Sequence, residues 1–149
     1  DARQCAAPRG DVVVHQCETP QPRARLTLTP RADGGVTAQA DLTPVYRGNP
    51  ALESWQRRID FAGRTLRVKD DFRLGAGTRA IFQVNVPERP VVQGNEAIAG
   101  RLRIRVLEPA SATLSVHAWS DEDPREFRRG WRVDVAGGQS GYTVELSEK

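Results

Sequence analysis

Few side chains in this chain have the types and spacing that do chemistry. Asp70 and Asp71 are adjacent, and paired carboxylates run glycosidase chemistry when both flank one bond. Adjacent strand residues point to opposite faces, so this pair suits a turn or strand end better than a reaction. Asp121, Glu122 and Asp123 precede Pro124 and offer oxygen ligands of the kind calcium takes, although a lone acidic loop is expected to be solvated. The two histidines, His15 and His117, lie far apart in sequence and read as satisfied or surface side chains. No Ser stands in a GxSxG turn, and there is no HExxH, no metal-spaced His/Cys cluster and no glycine loop before a helix. The sequence therefore predicts no catalytic residue, no metal and no cofactor.

Candidate binding residues are Arg101, Arg103, Arg105 and Trp119. Alternation places the three arginines on one face of a strand, where guanidinium groups can pair with carboxylate or sulfate in a bidentate way. The competing reading is the solvated face of a strand whose charges guard an edge against aggregation. Trp119 ends its strand beside a polar loop, where its ring is placed to stack on a sugar. Trp55 and Trp131 alternate with apolar residues and read as core. Cys5 and Cys17 are the only cysteines, and their spacing fits neither a redox pair nor a zinc site. They are either free thiols or a disulfide. The disulfide is the expectation; it would add about 3 kcal/mol in the chain-entropy picture and imply an oxidising compartment, periplasmic or secreted.

The elements that must position these residues follow a period of two. Val36, Ala38, Ala40 and Leu42 alternate with polar residues, as do Trp55, Ile59 and Phe61, then Leu66 and Val68, then Phe82, Val84 and Val86. Leu102, Ile104 and Val106 continue the pattern, followed by Leu114 and Val116, Trp131, Val133 and Val135, and Tyr142, Val144 and Leu146. Turn residues divide the runs: Asp33-Gly34-Gly35 suits a hairpin, and Gly63, Gly75-Ala76-Gly77 and Gly137-Gly138 mark others. About ten short strands predict an all-β fold, an antiparallel β-sandwich or an open barrel, with the sandwich as the expectation. Residues 1–22, with Pro8, Pro20 and Pro22 around the run Val12–Val14, read as an arm. The sandwich domain is then residues 23–149.

A chain of 149 residues suits one domain with a real core. Hydrophobic residues make up 38%, and no apolar run is long enough to span a bilayer, so no membrane partner is expected. The net charge of +3 comes almost wholly from arginine, interspersed with 19 acidic residues, which argues against a nucleic-acid surface. The opening DARQCAAPRG has no signal-peptide core, and the chain contains no methionine. Both fit a downstream domain cut from something longer.

Five segments carry a resemblance. ADLTPVY at 40–46, the Trp55–Arg58 cluster before an apolar strand, and VKDDF at 68–72 are similar in order to part of the heparinase II/III-like polysaccharide lyases. GWRVDV at 130–135 followed by YTVEL at 142–146 resembles that family's closing strands. The resemblance implies the β-rich region downstream of a catalytic helical toroid. Members of the family cleave acidic polysaccharide by β-elimination. None of their catalytic motifs matches here, so the implied role is a non-catalytic accessory domain. Its partners would be the parent's catalytic helical domain and, in an independent carbohydrate-binding module, an acidic polysaccharide. A purely structural domain is the third reading.

Overall fold

The computed structural model describes residues 24–46, 50–118 and 130–149. The alternating runs form β1 (Leu26–Pro30), β2 (Val36–Asp41), β3 (Leu52–Ala62), β4 (Thr65–Leu74), β5 (Ile81–Val86) and β6 (Val91–Gln93). They continue as β7 (Glu96–Ala99), β8 (Leu102–Glu108), β9 (Thr113–Ala118), β10 (Trp131–Ala136) and β11 (Gly141–Glu148). A 3-10 turn, Thr43–Tyr46, follows β2, and no helix among the described residues is long and apolar enough to cross a membrane. Every paired neighbour runs antiparallel. The larger sheet has the order β1-β2-β3-β4-β11-β8-β7-β6 and the smaller one β5-β10-β9. This is the antiparallel sandwich that the alternation predicts, with eleven strands described.

The register puts one apolar face of the larger sheet toward the smaller. Leu28, Ala38, Ile59, Val68, Val144 and Val106 form one row across it. Pro30, Val36, Phe61, Leu66, Leu146 and Ile104 form the next. Phe82 and Val86 of β5 and Val133 and Val135 of β10 close the core from the other side. Burial of this apolar surface is the main favourable term in folding.

Tyr142 locks one end of the sandwich. Its hydroxyl donates to the Ala80 carbonyl at 2.8 Å and accepts from the Gly138 N–H at 2.9 Å. Burial pushes the hydroxyl's pKa above its usual value, with the Gly138 N–H opposing. Gly138 is required by the fit, since a Cβ there would stand 2.6 Å from the tyrosine ring. The loop between β10 and β11 is therefore tied to the chain entering β5.

The opposite face of the larger sheet is a cross-strand ladder of charge. Asp60, Arg67, Glu145, Arg105 and Glu96 stand opposite one another on successive strands. Arg67 meets Glu145 at 2.7 Å, and Arg58 meets Asp60 at 2.8 Å. The Arg58 hydrogen bonds hold Asp60 well below the usual carboxylate range; burial opposes them, and Thr37 and Arg31 add to them. In the β1–β2 hairpin, hydrogen bonds from Arg31 and then from the Gly35 N–H hold Asp33 at about 2. Both folded values are depressed, so the stability they contribute is complete above the unfolded value of about 4 and is lost as pH falls toward 2 and below. Asp60→Asn should thus be less stable than the parent chain at pH 6 and should lose less on acidification. Melting curves at pH 6, 4 and 2.5 check this, and parallel losses in the two proteins would refute it.

Candidate docking surface

The three-stranded sheet is too narrow to cover the eight-stranded one. Cover is complete over β11 and β8, where Val144 and Ile104 are fully buried, and thins across β4 and β3. Beyond that it fails: Phe61 of β3 is 50% exposed, Val36 of β2 is 40% exposed, and Leu26 and Leu28 of β1 are 60% and 62% exposed. All four side chains belong to the same inner face as the core rows. At one end, Phe61, Leu66, Leu102 and Leu146 line a shallow apolar groove with Arg64 and Glu148 at its mouth. A contiguous apolar face of this kind marks an interaction site more often than chance exposure does.

A polar cluster bounds the covered region. Arg57 of β3 donates to both oxygens of Asp70 on β4, through Nε and Nη2, each at 2.7 Å. The Trp55 indole N–H donates to the same carboxylate at 3.0 Å. The guanidinium lies 4.9 Å from the Trp55 ring centroid and 5.7 Å from that of Phe82, and the Tyr46 ring meets Trp55 at a tilt of 39° with centroids 5.3 Å apart. Asp70 is buried, so its charge is stabilised by these donors. This corrects the turn or strand-end role expected for Asp70-Asp71, because β4 runs on to Leu74. The pair does point to opposite faces: Asp70 inward, Asp71 outward beside Lys69 at 3.4 Å. Two carboxylates on opposite faces cannot work on one bond.

The three arginines offered for ligand contact already have partners. Arg103 and Arg105 project from the charged face of β8 toward Glu96, with Nε atoms 3.9 and 2.6 Å from its carboxylate. Arg101 lies in the turn before β8, outside the strand geometry expected of it, and pairs with Glu148. Two guanidinium groups thus share one carboxylate, and Arg103 Nε is buried without a hydrogen-bond partner among the described residues. Trp119, the Cys5–Cys17 pair, His15, the arm and the acidic cluster Asp121, Glu122 and Asp123 lie outside the described residues. Trp131 packs against the core with Arg89 over its ring at 5.1 Å.

His117 stands on the outer face of the smaller sheet with Ser115 and Asp134. This Ser, His and Asp set does not make a relay. Ser115 Oγ is 3.0 Å and Asp134 Oδ2 is 3.5 Å from the same ring nitrogen, Nε2, whereas a relay needs one partner on each nitrogen. Asp134 is instead held by Arg132 at 2.7 Å. Among the described residues no group of His, Cys, Asp and Glu could hold a metal ion.

A larger groove of about 990 Å³ opens where β3, β4 and the β10–β11 loop meet. Ser54, Gln56 and Gln139 line it, together with Arg73 and Arg79. Its mixed lining can meet hydroxyl and anionic groups but converges on no reacting atom. Among the described residues, the fold and its faces define an antiparallel β-sandwich with one apolar wing left uncovered. No known family's sequence profile matches the chain, and no curated protein matches it.

Proposed function

We propose that the chain is a non-catalytic accessory β-sandwich of a heparinase II/III-like polysaccharide lyase, in which it supports the catalytic region. The uncovered inner face of β1 to β3 carries this reading. A sandwich that ends in an apolar wing needs a neighbour, and a catalytic domain of the same parent supplies one. The likeness of the 40–46, 55–58 and 68–72 segments to that family gives the neighbour its identity. A periplasmic or secreted location belongs to the same proposal.

The second reading, a module for acidic glycans, draws on the Arg73–Arg79 groove, which Asp71 also lines, and on Arg103 and Arg105 of β8, which share the single carboxylate of Glu96.

The pure chain should show no turnover of heparin, heparan sulfate or alginate, followed by absorbance of the unsaturated product. Reproducible turnover would sink the accessory role. In the longer parent protein, Leu28→Asp should lower the melting temperature of the catalytic region while leaving the isolated chain folded, since Leu28 is already exposed here. An unchanged parent would overturn the docking face.

A further inference from the structure

We propose that β1 is the contact edge of a homodimer, in which it pairs antiparallel with β1 of a second copy about a twofold axis at Thr27. The proposal goes beyond the docking role and does not rest on it. The contact uses the rim of the wing and leaves its inner face to the neighbour proposed above.

β1 is one edge of the larger sheet, and among the described residues the strand it pairs with is β2 alone. All five residues of β1 are exposed, so neither face of the strand is covered. Leu26-Thr27-Leu28-Thr29 carries no charge, and its ladder to β2 runs without a bulge. Charges, bulges, prolines and short length are the usual devices that keep an edge from pairing. β1 has only Pro30, at its last position. The other edge of the same sheet is better guarded, since β6 is three residues long and follows Pro90.

The phase of the hydrogen bonds selects the register. The Arg31 N–H donates to the Gly35 carbonyl at 2.9 Å, so the bonded pairs of the hairpin are Arg31 with Gly35, Thr29 with Thr37 and Thr27 with Gln39. The N–H and C=O groups of Leu26 and Leu28 therefore point away from the sheet, as does the Pro30 C=O. A twofold centred on Leu28 sets Arg25 across from Arg31 of the second copy, and it faces the Leu26 carbonyl with a proline nitrogen that cannot donate. Centred on Leu26, the pairing sets Leu28 against Ala24 and loses a leucine pair. Centred on Thr27, it lets Leu26 of each copy exchange hydrogen bonds in both directions with Leu28 of the other. Both leucines are more than half exposed, and this register sets them side by side on the inner face. On the outer face Thr27 meets Thr27, and Arg25 meets Thr29 rather than another arginine. The contact is isologous, as a closed dimer requires.

Sedimentation equilibrium of the whole 149-residue chain, from about 10 μM to about 1 mM, reads this contact. The chain should be monomeric at the low end and largely dimeric at the high end. Thr27→Lys and Thr27→Glu each set like charges across the axis and should weaken the dimer about fivefold or more. Thr27 is exposed, so both variants should melt with the parent chain at low concentration. An equimolar mixture of the two should dimerise at least as tightly as the parent chain, because only a residue on the axis meets itself. Thr29→Glu, which faces Arg25, should tighten the dimer. A parent chain that stays monomeric at about 1 mM overturns the proposal. So does a dimer that both Thr27 variants leave unchanged. A mixture no tighter than either variant alone would place Thr27 away from the axis and overturn it likewise. Thr27 lies on the outer face, so none of these results bears on the Leu28 test of the docking role.

Discussion

Arg57→Met should cost about 3 kcal/mol of folding stability, among the largest losses available outside the apolar core. Methionine keeps an unbranched apolar stem beside Trp55 and Phe82 but removes both bonds to Asp70. The carboxylate then stays buried with the Trp55 N–H as its one remaining donor among those described. Removing one partner of a buried pair is costly because the other charge is left uncompensated. Arg57 itself is a third exposed, which places the effect at the low end of the usual range. Asp70→Asn added to Arg57→Met should recover part of the loss, since the uncompensated charge is gone. Urea unfolding of the single and double variants checks this. A single-variant loss below about 1 kcal/mol would mean that water reaches Asp70 freely.

Ile104→Ala should cost about 3 kcal/mol, within the usual range for truncating a fully buried aliphatic side chain. Ile104 has no exposed surface and sits in the row that joins Leu146 to Ala97 across β11, β8 and β7. The neighbours are β-strand residues held by hydrogen bonds on both sides, so the cavity cannot readily collapse. Leu28→Ala, in the parallel row but on the uncovered wing, should cost less than about 0.5 kcal/mol in the isolated chain. The contrast between the two urea midpoints, at unchanged denaturant slope, measures how far the smaller sheet's cover extends. Equal losses would mean that the wing is covered in solution.

The strands were legible wherever alternation ran for five residues or more. Trp55, Ile59 and Phe61 lie on one face of β3 as their spacing says, and the Asp33-Gly34-Gly35 hairpin joins β1 to β2 in the expected way. The β6–β7 hairpin was not legible from periodicity, because three and four residues give too short a pattern. Gly94-Asn95 between them, with Gly94 at φ 60°, was the signal that could have found it. Asp70 was hidden for a different reason. A carboxylate in an alternating run looks like a strand end until Arg57, thirteen residues earlier, is known to lie opposite it. The setting of the β8 arginines was hidden in the converse way, since Arg103 and Arg105 share Glu96 on a neighbouring strand that the pattern did not reveal. The apolar wing was invisible, because each strand in it is patterned like a covered one. Cover depends on how many strands the opposing sheet has, and that count is a property of the whole topology.

β11 is the last strand in chain order, yet it stands between β4 and β8 in the middle of the larger sheet. Before it is made, β1 to β4 and β6 to β8 are separate meanders with no hydrogen bonds between them. During synthesis, therefore, β4 and β8 both present open edges until β11 has left the ribosome. Pairings so distant in sequence form slowly, and exposed edges invite association with other chains in the interval. A stop codon between Glu108 and Gly141 would release two half-sheets rather than a slightly shortened sandwich, and its product should be found with chaperones or in aggregates instead of in solution.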